Sequence, residues 1–241
     1  MNILAIDSAT EKFSVALCTG GHTLSFESDA DLRHSELIMD SIDGLFKQAA
    51  VRPEDLCGVV CMAGPGSFTG LRIGFSIAKG LALSLGIPFA AISTLDCMAR
   101  PFRARPGIVV PAIDAKKKAF FCALYRRGER LCPDMDTQPV EIAGAIAGRL
   151  APESPPEQVL LAGPGAQMLY DALPDRSGIA MAEPHWGNAE TLLEIALETQ
   201  ILSRSNIDYS CGPVYIRKSD AELTRESTNY TNVNEWKFSY R

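Results

Sequence analysis

Residues 5–24 read AIDSATEKFSVALCTGGHTL, and residues 112–131 read AIDAKKKAFFCALYRRGERL. Laid together without a gap, they agree at Ala5/Ala112, Ile6/Ile113, Asp7/Asp114, Phe13/Phe120, Ala16/Ala123, Leu17/Leu124, Gly21/Gly128 and Leu24/Leu131. Each copy reads as a buried strand ending in aspartate, a short turn, a second strand, a glycine turn and a third strand. The echo continues downstream. A helical stretch follows each copy, SELIMDSIDGLFKQAA in the first and VEIAGAIAGRL in the second. Each is followed by a strand-like run, LCGVVCM or QVLL, and then by AGPG, at Ala63–Gly66 and Ala162–Gly165. An ordered series of matches of this kind is the signature of an internal duplication.

Alternating strands and helices give an α/β class. A duplicated β-β-β-α-β unit with AGPG opening the next helix resembles the actin/Hsp70/sugar-kinase (ASKHA) superfold, which implies two βββαβα lobes facing each other across a cleft. RPFRARPG, residues 100–107, reads as the linker. The expected division is an N-terminal lobe at 1–103, a C-terminal lobe at 104–217 and a polar tail at 218–241. APESPPEQ reads as a surface loop. The tail, with SDAELTRESTNYTNVNEW, has no sustained apolar period and reads as a free terminus or a docking arm.

Of the 241 residues 46% are hydrophobic, enough for one large core or two smaller lobes. The net charge of −6 argues against a chain that grips nucleic acid alone, although an acidic subunit can serve a nucleic-acid enzyme through protein partners. MNILAIDSAT lacks a basic n-region and a cleavage site, so no signal peptide is expected. The longest apolar stretch, GLALSLGIPFAAI, is too short and too interrupted to span a bilayer. Seven cysteines (Cys18, Cys57, Cys61, Cys97, Cys122, Cys132 and Cys211) form no CxxC pair, and most lie in apolar runs. They read as reduced core residues of a soluble cytoplasmic protein.

In the superfold, a strand-ending aspartate followed by a Gly-Thr turn in each lobe holds the phosphates and metal of ATP. Asp7 and Asp114 are kept here, but the turns are not. The first reads Asp7-Ser8-Ala9-Thr10, and the second has Lys116 where bare backbone is needed. Lysines can attract phosphate; equally, the aspartates can simply cap two strand-to-turn corners. Asp7, Ser8, Thr10 and Asp114 are therefore expected to form a vestigial nucleotide site rather than a working kinase site. His22, His34 and His185 have no metal-ligand spacing. His34 opens a helix for which Ser35 or Asp31 is the natural cap. Ser67 sits in no GxSxG frame and reads as an N-cap, and no cysteine stands in a basic context.

AGPGSFTGLRIG, residues 63–74, is glycine-rich but fits neither phosphate motif. A P-loop needs GK[ST], and Gly64, Gly66 and Gly70 give GxGxxxG, one residue too long. Positions 66, 70, 74, 78, 82 and 86 are Gly, Gly, Gly, Ala, Ala and Gly, a ridge of minimal side chains along one helix face. Glycine costs a helix about 1 kcal/mol relative to alanine, so such a ridge implies close approach of another backbone. Its own sheet and a second subunit are both open as the approaching element. Arg72 is a charge that would want a carboxylate.

ILAIDSAT, GPGSFTGLRIG, AKGLAL and the late PVYIR together resemble the bacterial TsaB family, the small actin/Hsp70-like subunit needed to make threonylcarbamoyladenosine on tRNA. The resemblance runs from residue 2 to about residue 100, weakens in the second lobe, and resumes at Gly212–Arg217. It implies a non-catalytic relative of the transferase subunit TsaD, without metal or cofactor. It further implies docking on TsaD, or on a second copy in isolation, through first-lobe helices. The expected interface residues are Gly66, Ser67, Phe68, Thr69, Gly70, Leu71, Arg72, Ile73, Gly74 and Ile77. The ATPase TsaE is the implied third subunit, and tRNA is met only through the complex, with no membrane involved. Asp-Ala-Lys-Lys-Lys departs from the family's Asp-Ala-Arg-acidic pattern at the second-lobe turn. An ATP-dependent phosphotransferase of the same superfold is the alternative, and a peptidase a more remote one.

Overall fold

In a computed structural model, the apolar runs of the first copy become an antiparallel meander: β1 (Ile3–Asp7), β2 (Phe13–Thr19) and β3 (His22–Ser28). The structure describes residues 1–28, 34–150, 157–183, 189–204 and 211–217. Asp31, His185, most of the loop after the second-copy helix and the 218–241 tail lie outside them. After the meander come α1 (His34–Ala49), β4 (Gly58–Gly64), α2 (Phe68–Leu85) and β5 (Phe89–Ser93). The sheet order is β3-β2-β1-β4-β5, with β1, β4 and β5 parallel.

A second sheet repeats this plan. Its elements are α3 (Thr94–Ala99), β6 (Ile108–Asp114), β7 (Phe120–Cys122), β8 (Tyr125–Arg126), β9 (Glu129–Arg130) and β10 (Met135–Thr137). They are followed by α4 (Pro139–Ala147), β11 (Val159–Ala162), α5 (Ala166–Ala172) and β12 (Ile179–Met181). Its order, β10-β7-β6-β11-β12, matches the first sheet position for position. This is the two-lobed, duplicated actin-like architecture.

The copies differ where the sequence alignment hides it. Asp7 pairs with Ser14, but Asp114 pairs with Phe120, so the second connection is one residue shorter. Ala5 consequently faces Ala16, whereas Ala112 faces Cys122 rather than Ala123. The expected third strand of copy two shrinks to β9, which hairpins onto β8, and β10 takes the place beside β7. A one-residue change of register alters every cross-strand pair, which an ungapped comparison cannot reveal.

Packing order is not chain order. On one face of the first sheet, Ile38, Ile42 and Phe46 of α1 and Phe75, Ala78 and Ala82 of α2 bury against Phe13, Val15 and Val59. The other face is covered by α6 (Ala189–Thr199) and α7 (Ile201–Arg204), which follow the second sheet in sequence. Leu192, Leu193, Ala196 and Leu202 pack there on Ala5, Ala16 and Val60. Arg100 and Arg103 of the linker pair with Glu194 and Glu198 of α6, pinning its return. Conversely, Leu95 and Met98 of α3 join the second core with Val110, Ile142 and Leu169. Five cysteines are buried and two, Cys57 and Cys211, are exposed, and none is joined in a disulfide among the described residues. Among the described residues no helix is long and apolar enough to cross a membrane.

Candidate functional site

Ser67 caps α2 as its sequence suggests: its Oγ accepts from the Gly70 N–H at 3.2 Å. From there the small-residue ridge runs along the inward face of the helix. A Cβ built on Gly66 would strike the Ala9 carbonyl oxygen, one on Gly70 the Ser8 carbonyl oxygen, and one on Gly74 the Ser8 Oγ, each inside 3.0 Å. Two hydrogen bonds use the space so opened. Ser8 Oγ donates to the Gly70 carbonyl at 2.8 Å, and the Ser67 N–H donates to the Ala9 carbonyl at 2.7 Å. The first-lobe turn is thus seated in the groove that the missing side chains leave. Of the two uses open to the ridge, internal packing is occupied.

Asp7 ends its strand only 2% exposed. Its Oδ1 accepts from the Ala9 N–H at 3.0 Å, and Thr10 turns back to bond the Lys12 carbonyl. Burial raises the Asp7 pKa to about 7, despite the opposing Ala9 N–H, with Glu27 adding a small push upward. Its repeat partner Asp114 goes the other way. Burial pushes it up, but the Lys116 side chain and backbone N–H, at 2.8 and 2.7 Å, together hold it below the ordinary carboxylate range. Lys116, Lys117 and Lys118 all take left-handed backbone, with φ of 60°, 56° and 62°. That conformation lets the shorter connection close, and it costs an L-residue roughly 1–2 kcal/mol per position. Lys117→Gly is therefore expected to raise stability by about 1 kcal/mol in urea denaturation, after the flexibility that glycine adds to the unfolded chain.

Between the lobes lies a cavity of about 300 Å³. Pro65, Gly66 and Phe68 line it from the first lobe, and Ala115, Lys116, Lys117 and Phe121 from the second; Val214–Arg217 form the remaining wall. Neither Asp7 nor Asp114 lines it. Among the described residues no three His, Cys, Asp or Glu side chains are placed to share a metal ion.

The ten residues singled out around α2 divide sharply. Gly70, Leu71 and Gly74 are buried inside the lobe. Ser67, Thr69 and Arg72 are exposed, and Gly66, Phe68, Ile73 and Ile77 are half-buried. Among the described residues Arg72 meets no carboxylate. Its guanidinium lies 3.8 Å from the centre of the Phe68 ring, and its Nε donates to the Tyr215 hydroxyl at 3.1 Å. An aromatic face supplies a partial negative charge that can stand in for the carboxylate. Farther along the same side of the lobe, Leu83 is 63% and Met39 of α1 47% exposed. The contribution of residues 211–217 was not legible beforehand, since PVYIR has no periodicity that assigns it a place.

A family model described as "TsaD: tRNA N6-adenosine threonylcarbamoyltransferase" matches residues 28–172. The chain is 30% identical over 231 residues to the "tRNA threonylcarbamoyladenosine biosynthesis protein TsaB" of Bacillus subtilis (strain 168), covering 92% of this chain and 96% of that one. The protein of the same name from Escherichia coli (strain K12) is 37% identical over 131 residues, 54% of this chain and 57% of its own length. Among solved structures, "YeaZ from Pseudomonas aeruginosa" is 26% identical with a TM-score of 0.73, covering 89% of this chain and 99% of that one.

Proposed function

This chain belongs to the TsaB family, and we propose that it serves as a non-catalytic scaffold subunit in the threonylcarbamoylation of adenosine 37 of tRNA. In this reading it works in the cytoplasm and docks a TsaD-type catalytic subunit, with a TsaE-type ATPase joining the pair. It meets tRNA only through that assembly and pairs with a second copy when isolated. The observation that carries the proposal is the filled first-lobe turn. The Ala9 N–H, a donor that an oxyanion would need, is already given to Asp7, and the Ser8 hydroxyl and Ala9 carbonyl are tied to Gly70 and to the helix cap Ser67. The buried Asp7, bonded to its own turn, supports the same reading.

The docking surface in this proposal is the outward side of α2: Ser67, Thr69 and Arg72, with Phe68, Ile73 and Ile77 beside them and Leu83 and Met39 at the margin. Arg72→Glu and Leu83→Glu are expected to weaken binding of the TsaD-type subunit by about tenfold or more each; Leu83→Glu, whose side chain is largely in solvent, leaves the melting temperature unchanged, whereas Arg72→Glu lowers it slightly by giving up the Phe68 and Tyr215 contacts. Calorimetric titration reads the affinity, and the level of modified tRNA in depleted cells carrying each variant reads the function. Wild-type binding and wild-type modification by both variants would overturn the surface. The basic turn beside the cleft cavity favours one second reading, an ATP-dependent phosphotransferase. ATP turnover by the isolated chain with Mg²⁺ would replace the scaffold reading with that one.

A further inference from the structure

Seven residues near the end of the described chain touch both lobes. On the first lobe, Lys79 Nζ donates to the Cys211 carbonyl at 2.7 Å, and the Val214 N–H donates to the Ala63 carbonyl at 2.7 Å. The Val214 carbonyl oxygen lies 2.5 Å from where a Cβ on Gly64 would sit, so a side chain there would push this segment away. Tyr215 stacks on Phe68 with ring centres 4.7 Å apart, and its hydroxyl accepts from Arg72. On the second lobe, Arg217 binds both oxygens of Asp136, its Nε at 2.7 Å. Its Nη1 also donates to the Ala115 carbonyl at 2.7 Å, and its guanidinium lies 5.8 Å from the centre of the Phe121 ring.

We propose that residues 211–217 form a clamp that fixes the separation of the two lobes, with Arg217 as its lock. Tyr215 is held by the first lobe and Arg217 by the second, with Ile216 alone between them. Two residues of fully extended chain span at most about 7 Å, so the lobes cannot part at this point without breaking one anchor. The lock is also of the stronger kind. It is a two-pronged guanidinium–carboxylate pair with side chains 27% and 17% exposed, shielded from solvent in a way that ordinary surface pairs are not. Its third bond holds the carbonyl directly after Asp114, at the root of the left-handed lysine turn. Val214–Arg217 of the clamp form one wall of the inter-lobe cavity, so the same contact sets how open that cavity stands.

Hydrogen exchange on the full chain tests this, comparing wild type with Arg217→Ala, Asp136→Ala and the double variant. Asp136→Ala is decisive, because Asp136 lies on β10 of the second lobe while the amide to be read, that of Val214, is bonded to the first. Asp136→Ala is expected to speed exchange at Val214 and across 115–121 by about tenfold or more, while central amides of β1 and β6 stay protected. The double variant should not exceed Arg217→Ala, since that substitution already breaks the bond that Asp136→Ala breaks. If Asp136→Ala leaves Val214 exchanging at the wild-type rate, the clamp is refuted. Should the alanine variants lose protection throughout, Asp136→Asn, which keeps the size and one acceptor, is read by the same criterion.

Discussion

Gly70→Ala is expected to cost this protein about 3 kcal/mol or more of stability, while Gly80→Ala, ten residues along the same helix, adds up to about 1 kcal/mol. Intrinsic helix propensity favours alanine equally at both positions, so it cannot produce the opposite signs. The difference lies in what the new methyl group meets. At Gly80 nothing stands within 4 Å. At Gly70 the methyl would overlap the Ser8 carbonyl oxygen, a backbone atom that cannot rotate away. Relief requires moving α2 off β1 or expelling the Ser8–Ala9 turn, which breaks the Ser8–Gly70 and Ser67–Ala9 hydrogen bonds and exposes Phe75 and Ala78 on the same helix. Paired denaturation curves in urea measure both changes. A Gly70→Ala protein as stable as wild type would show that the groove is not the seat of the first-lobe turn. Loss of partner binding in a Gly70 or Gly74 variant should consequently be traced first to the fold of the lobe itself.

Asp7→Asn is expected to stabilise the protein by about 2 kcal/mol or more near pH 8 and to make little difference near pH 4. The sign follows from the raised carboxyl. Unfolded, the group titrates near 3.8; folded, near 7, because burial disfavours the charge. Between those values the native state holds a proton that the unfolded state has released, so stability falls as pH rises through the window and levels off above it. Below about 3.8 both states are protonated and the penalty vanishes. Asparagine can still accept the Ala9 N–H but never ionises. Asp114, held low by Lys116, works in the opposite sense, losing its contribution as pH falls, so the difference between variant and wild type is the quantity that isolates Asp7. A stability difference that does not change between acid and alkaline pH would refute the assignment.

The architecture was legible because it rests on local signals repeated twice. Continuous apolar runs place β1, β2 and β6; helix spacing of Ile38, Ile42 and Phe46 places α1; Ser67 before a glycine-rich helix announces its own cap. The candidate site was legible only in part. The ridge at 66, 70 and 74 was readable as a demand for close approach, since only that offsets repeated glycine in a helix. Which backbone approaches is a question of tertiary contact, and the answer, Ser8 and Ala9, lies about sixty residues away in the chain. Arg72 announced a charge but not its aromatic partner Tyr215, 143 residues distant.

The sequence by itself determined the duplication, the α/β class, the order of strands and the family, because periodicity, turn chemistry and motif spacing are properties of neighbouring residues. Tertiary structure alone decided that α6 returns to the first sheet, that the second copy pairs one residue out of step, and that PVYIR ties one lobe to the other. Each of these depends on side chains far apart in the chain competing for one buried surface or one charged partner, and no local pattern records which of them wins.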